Sequence, residues 1–244
     1  MHSFPNSSRR VIRINNIVVK YGLDLDLAEA ASMIFIQERT KIPLPKILNA
    51  YRKEGYGYII MEFVEGELLQ RLWPKLLPDE KRGILTELKD YICQIRRIKC
   101  PAGTQIGSVM GGPAIDRRQL KSITGGPFTS VAEFNKWQLA QLREKTPLAH
   151  RDIYITMHKP DRRIVFSHCD LGFHNIIVHN GHIAAIIDWE DSGWYPEHWD
   201  YCKAVSFLCD SDELYSASQE IFEERYQAEH LMDTWFGRSV RHGF

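Results

Sequence analysis

A predicted β-hairpin between residues 176 and 187 constrains the fold of this chain more than any other feature. Two β-rich runs, residues 176–179 and 182–187, flank Asn180-Gly181. Both positions of this dipeptide tolerate the positive φ that a two-residue hairpin turn requires. Such a turn pairs His179 with His182 and thereby fixes the register of every residue that precedes and follows it.

This register places two metal-binding side chains together. Counting outward from the turn puts Asn175 opposite Ile186, and Asp188 follows two residues later. Because side chains alternate along a strand, Asn175 and Asp188 are predicted to share a face as diagonal neighbours, about 7 Å apart at Cβ. A slip of one residue would put them on opposite faces. Their oxygens suit Mg²⁺, and Asp170 in the preceding loop could accept a hydroxyl proton, so the motif predicts magnesium-dependent phosphoryl transfer.

Composition narrows the class of protein. The chain has 244 residues, of which 44% are hydrophobic and 25% charged, and its formal net charge is zero. These are ordinary globular values, and they give no overall attraction to nucleic acid. From Asp188 onward there are thirteen acidic and four basic residues, which either attract a cationic substrate or form solvated helix faces.

The cysteines and the hydropathy of the sequence indicate the cellular compartment of the protein. The five cysteines form no CxxC pair, and no apolar run has the length of a membrane span. Free thiols are typical of reducing compartments. We therefore expect a cytoplasmic protein without a membrane partner.

The first 64 residues are predicted to form a small α+β lobe. They contain two hairpin strands, a helix with apolar residues at a helical period, and two further strands: 10–14, 17–21, 25–39, 47–51 and 56–64. The sequence Glu65-Gly66-Glu67 then breaks the pattern, which places the lobe boundary after residue 64.

Residues 65–244 are predicted to form a mostly helical lobe. Helical patterns cover residues 78–98, 130–145 and 214–235, and the second opens with a capping box from Ser130 to Glu133. Residues 100–127, rich in Gly and Pro, read as a long surface loop. A short strand at 163–166 leads into the loop that carries Asp170.

Four segments spread along the chain are informative together: Val18-Val19-Lys20-Tyr21-Gly22, Ile60-Met61-Glu62-Phe63-Val64, the loop from His168 to Asn175, and Ile187-Asp188-Trp189-Glu190. They resemble the aminoglycoside phosphotransferase and choline kinase group of small-molecule kinases, in particular fungal proteins with that phosphotransferase domain. Each is weak alone, but their order and spacing are specific. The resemblance implies an α+β, two-lobed protein-kinase-like fold, with residues 1–64 as the nucleotide-binding lobe and 65–244 as the catalytic and acceptor-binding lobe. It also implies ATP and Mg²⁺ as cofactors and a hydroxylated small molecule as the acceptor.

The resemblance assigns roles to particular residues. Asp170 matches the catalytic aspartate, and Asn175 and Asp188 match the metal ligands. Lys20 matches the lysine that binds nucleotide phosphates; Glu29 is its predicted partner because Glu38, nine residues further on, lies on another face of the helix. The segment from Glu62 to Val64 matches the hinge whose backbone holds adenine. The His168 side chain is predicted to support the catalytic loop by hydrogen bonding.

The chain departs from the kinase pattern at three places. No glycine precedes Lys20, whereas kinases have a glycine-rich turn over the phosphates there; either residues 5–8 are a replacement turn or the first strand of the lobe is missing from this sequence. Trp189-Glu190 follows Asp188 where protein kinases have Phe-Gly, which resembles the choline kinase side of the group. Cys169 stands where these proteins often have glycine. The missing glycine turn leaves open an alternative function, a catalytically degenerate kinase-fold protein that binds a nucleotide or a partner without phosphoryl transfer.

Overall fold

The computed structural model describes residues 9–117, 122–142, 144–209 and 211–242. Its strands are β1 (Arg10–Ile14), β2 (Ile17–Gly22), β3 (Ile47–Lys53), β4 (Tyr56–Glu62), β5 (Glu67–Leu68), β6 (Gly107–Ser108), β7 (Ala114–Asp116), β8 (Ile123–Gly125), β9 (Ile164–Ser167), β10 (Ile176–His179), β11 (His182–Ile186) and β12 (Gly193–Pro196). Its helices are α1 (Ala28–Arg39), α2 (Leu69–Leu72), α3 (Pro78–Arg97), α4 (Val131–Ala140), α5 (Leu148–Met157), α6 (His198–Leu208), α7 (Asp212–Ile221) and α8 (Gln227–His242), with 3₁₀ turns at Trp73–Lys75 and Phe173–Asn175. None of the described helices is long and apolar enough to span a membrane. The candidate phosphate turn at residues 5–8 lies outside the described residues.

The chain divides into two compact units. The first comprises Met1–Tyr91 and Phe173–Glu190, and the second Ile92–Gly172 and Asp191–Phe244. The units group residues by contact across the sequence, so the predicted lobe boundary after residue 64 stays a prediction.

The first unit contains a four-stranded antiparallel sheet in the order β1-β2-β4-β3, which confirms the predicted element order β-β-α-β-β. One face of this sheet carries Lys20 of β2 opposite Ile59 of β4. The helix α1 begins at Ala28, three residues later than the pattern predicted. The preceding residue Leu25 is instead a fully buried loop residue. A Cβ at Gly57 would lie 2.6 Å from the Leu25 carbonyl oxygen, so glycine is required there for the loop to approach β4.

The hairpin β10–β11 forms as predicted at its turn but not at its base. His179 pairs with His182, and a bulge between Ile177 and Val178 then shifts the register by one residue. Ile176 consequently pairs with Ile186, and the Ile187 N–H donates to the Asn175 carbonyl over 2.9 Å. The predicted pairing of Asn175 with Ile186 is therefore wrong. A bulge inserts one extra residue in one strand, which no turn signal can reveal.

The second unit contains the sheet β6-β12-β9 and most of the helices. Residues 100–127 are not the surface loop that composition predicted: they contribute β6 to this sheet and form the pair β7–β8, with Ile106 fully buried. Ile106 packs in a cluster with Phe134, Tyr195 and Trp199. Strands of two or three residues are too short to show the alternation that identifies a strand in a sequence.

The helices of the second unit agree in part with the prediction. The Ser130 side chain caps α4 by accepting the Glu133 N–H over 3.2 Å. The Glu133 carboxylate reaches back to the Thr129 N–H rather than to Ser130. The predicted final helix is two helices, α7 and α8, and α5 and α6 were not predicted. The helix α6 has buried residues all round, which removes the one-sided pattern on which a prediction depends.

Candidate active site

Lys20 is the centre of a buried charge cluster in the first unit. Its Nζ lies 2.8 Å from Glu29, 2.8 Å from Asp188 and 3.6 Å from Glu190. The Lys20 side chain is 13% exposed and that of Glu29, in the first turn of α1, is 3% exposed. The predicted pairing with Glu29 is confirmed, whereas the competitor Glu38 is exposed and bonds its neighbour Arg39.

The environment shifts the pKa of both partners. Burial lowers the pKa of Lys20, but the charges of Glu29, Asp188 and Glu190 outweigh burial and raise it overall. Burial raises the pKa of Glu29 to about 7, against the opposing effect of Lys20. Lys20 therefore remains a charged ammonium at physiological pH. Glu29 binds a proton more readily than an ordinary glutamate, because burial disfavours its charged form.

Asp188 and Asn175 are held by different local structures. Asp188 has a φ of 63°, a conformation that non-glycine residues rarely adopt and that ends the strand alternation before it. Asn175 ends a 3₁₀ turn and is buried. The alternation argument that placed both on one face does not apply to this backbone, so a shared metal site stays a prediction. Their donor chemistry fits Mg²⁺, since both offer the hard oxygen ligands that this ion prefers.

Asp170 belongs to the second unit, where its loop is fixed from two directions. The Asp170 N–H donates to His168 Nδ1 over 3.2 Å, which confirms the supporting role predicted for the buried His168. The Cys169 N–H donates to Asp200 over 2.9 Å. Cys169 has a φ of 68°, which lies in the left-handed region that favours glycine. This backbone conformation explains why glycine is well suited to the position of Cys169. The loop backbone is thus held in one conformation, with the Asp170 carboxylate half-buried at its end.

The predicted hinge follows β4. The N–H of Glu62 donates to the Lys46 carbonyl over 2.9 Å, and the N–H of Phe63 donates to the Asn16 carbonyl over 2.8 Å. These two groups are engaged within the protein. The adenine-binding prediction therefore applies to the Glu62 carbonyl and to the backbone of Val64.

Two members of the charge cluster were missed by the sequence reasoning. Glu190 bonds Arg9, whose other guanidinium nitrogen donates to the Asp24 carbonyl over 2.8 Å. Glu190 could have been predicted as a member of the cluster, because it lies only two residues after Asp188. Arg9 lies 181 positions away in sequence, and nothing in the sequence could have paired it with Glu190.

Three acidic residues of the C-terminal part are paired within the second unit. Glu197 bonds Arg163 over 2.6 Å and Asp191 bonds Arg117 over 2.5 Å. Glu229 is paired with Arg162. The basic partners of these three come from the preceding segment, whereas acidic residues of α7 such as Asp212 are exposed, as expected for a solvated helix face.

Comparison with known proteins agrees with this arrangement. A family model described as the phosphotransferase enzyme family matches residues 6–239. The chain belongs to this family. Among solved structures, the streptomycin–ATP complex of the aminoglycoside phosphotransferase APH(2'')-IIa matches 97% of this chain and 86% of its own, with a TM-score of 0.61 and 15% identity. The chain therefore has the kinase-like α+β fold of these enzymes.

Curated relatives of this family member include bacterial and fungal proteins. An aminoglycoside 3'-phosphotransferase of Enterococcus faecalis is 25% identical over 190 residues, which is 76% of this chain and 64% of the relative. The mitochondrial protein Altered inheritance of mitochondria protein 9 of Candida tropicalis is 32% identical over 91 residues, 32% of this chain and 15% of the relative. The chain thus spans less than two thirds of the length of the curated relatives it matches.

Proposed function

We propose that this protein is an ATP- and magnesium-dependent phosphotransferase that acts on a hydroxyl group of a small molecule. The observation that carries the proposal is the contact of Lys20 with the buried Glu29 and with Asp188. A buried ammonium between a helix carboxylate and a candidate metal ligand is the arrangement with which kinases hold nucleotide phosphates. Family membership and the kinase-like fold support it.

The residues fit the cofactors by their chemistry. Asp188 and Asn175 would hold Mg²⁺, Lys20 would bind phosphate oxygens, and the Glu62 carbonyl and Val64 would hold adenine. Bound magnesium would neutralise charge on the phosphates.

Asp170 is the proposed base. Its carboxylate would accept the proton of the acceptor hydroxyl while the acceptor oxygen forms a bond to the terminal phosphorus. The bond from that phosphorus to the bridging oxygen breaks, and a nucleoside diphosphate leaves. His168 and Asp200 fix the loop backbone, which keeps the carboxylate in a constant position during this transfer.

The test compares phosphoryl transfer by the parent and by Asp170→Ala over a panel of hydroxylated acceptors, including aminoglycosides. We expect the variant to lose about 10²- to 10⁴-fold in kcat with unchanged nucleotide affinity. The control is Asp161→Asn, an exposed aspartate of the same unit, which should keep the parent rate. An equal rate for parent and Asp170→Ala would remove Asp170 as the base. A parent that binds Mg²⁺–ATP but transfers phosphate to no acceptor would favour the degenerate binding protein.

A further inference from the structure

Arg9 lies immediately before β1 and reaches the charge cluster around Lys20. Its Nη1 donates to Glu190 Oε2 and its Nη2 donates to the Asp24 carbonyl. The same Glu190 oxygen lies 3.6 Å from Lys20 Nζ. The guanidinium and the ammonium therefore share one carboxylate oxygen, which brings both cations to the same part of the first unit.

The two cations contact a group of three carboxylates that lie close together. Oxygens of Glu29, Asp188 and Glu190 all lie within 4.8 Å of one another. The Arg9 side chain is 26% exposed, twice the 13% of Lys20. Arg9 is thus held at the cluster by a carboxylate and a carbonyl and is still open to a ligand from solvent.

The chemistry of the Arg9 side chain suits a phosphate ligand at this place. A guanidinium presents a planar set of donors that suits phosphate oxygens, and it stays charged at any physiological pH.

We propose that Arg9 binds the terminal phosphates of the nucleotide together with Lys20. The inference rests on the proposed function, since it concerns the same nucleotide. If the guanidinium binds the terminal phosphates, its removal should lower the affinity more for nucleotides that carry more phosphates. A guanidinium that only ties Glu190 to the loop after β2 affects all nucleotides alike and also lowers the melting temperature of the free protein.

The experiment measures the magnesium-dependent affinity for AMP, ADP and a non-hydrolysable ATP analogue by calorimetry, together with the melting temperature. Arg9→Gln should weaken the ATP analogue by about 10- to 100-fold and leave AMP unchanged. The matched control is Arg10→Gln, because Arg10 is the adjacent, exposed residue at the start of β1, and it should behave as the parent.

Each other outcome overturns the inference. Equal losses for all three nucleotides with a lowered melting temperature would make Arg9 a structural clamp. Parent-like affinities in Arg9→Gln would exclude phosphate binding while the proposed function stands. A parent that binds no nucleotide would remove both the proposed function and this inference.

Discussion

Lys20 contacts all three carboxylates of the cluster. Replacing Lys20 by methionine removes these three contacts. Methionine is an unbranched side chain one heavy atom shorter than lysine and lacks the charge, so the change acts mainly through electrostatics. Glu29, Asp188 and Glu190 then lie within 4.8 Å of one another without the ammonium between them, while Arg9 still contacts Glu190. We expect a large loss of stability that depends on pH and on divalent cations.

The magnitude follows from the geometry. Two like charges 4.8 Å apart repel by about 3 kcal/mol at an effective dielectric constant of about 20. Water screens Asp188, which is 37% exposed, and one carboxylate can take up a proton, so the pairwise repulsions do not add in full. Removing one partner from a buried ion pair costs about 3–5 kcal/mol. We therefore expect Lys20→Met to lose about 3 kcal/mol of unfolding free energy at pH 8.

The assay is denaturant unfolding of the variant at pH 8 and at pH 5.5, with and without millimolar Mg²⁺. The loss should shrink at the lower pH because Glu29, whose pKa is raised to about 7, becomes protonated, and Mg²⁺ should stabilise the variant more than the parent because it replaces the missing cation. Lys75→Met is the control: Lys75 is 70% exposed and lies 3.9 Å from Glu67, so it should cost less than about 0.5 kcal/mol. A loss for Lys20→Met no greater than that of Lys75→Met would refute the electrostatic account of this cluster.

Three further outcomes are expected. Burial raises the pKa of the Cys169 thiol well above its ordinary value, so Cys169 and the buried Cys202 should stay unmodified by a thiol reagent in the native protein and react only after denaturation, as counted by mass spectrometry. Gly193→Ala should cost about 1–3 kcal/mol because its Cβ would lie 2.1 Å from the Gly107 carbonyl oxygen. Gly83→Ala in α3, where a Cβ meets nothing within 4 Å, should instead stabilise by about 0.5–1 kcal/mol; equal effects of the two changes in chemical unfolding would contradict the packing argument. Because the pKa of Glu29 is raised from about 4.5 to about 7, the native state binds this proton more tightly than the unfolded chain does, and stability should fall by up to about 3 kcal/mol as pH rises through that window. Unfolding curves of Glu29→Gln should lack this fall, and a parallel pH profile for parent and variant would contradict it.

Local signals predicted the elements that carry the site. The Asn180-Gly181 turn, the strand that bears Lys20 and the helix that bears Glu29 all depend on short-range backbone preferences. The pairing of Lys20 with Glu29 instead of Glu38 also followed from the sequence, because nine residues along a helix turn a side chain to another face. The capping of α4 by Ser130 followed for the same reason, since a cap involves residues only three positions apart.

Long-range features escaped prediction. The bulge that moves Asn175 opposite Ile187 depends on how β10 fits β11, and composition gave no sign that residues 100–127 contribute strands to the second unit. The helix α6 was hidden because nine of its eleven residues are buried, so it shows no one-sided apolar pattern.

By itself, the sequence determined the residue types of a phosphotransfer site and their order, because the backbone preferences that place each on its strand, helix or loop are local. The tertiary structure decided which charges meet: it brought Glu190 and Arg9 to Lys20, gave Asp188 its positive φ, and paired three acidic residues of the C-terminal part with arginines of the preceding segment. Charges interact through space, and partners up to 181 positions apart become neighbours only when the chain has folded.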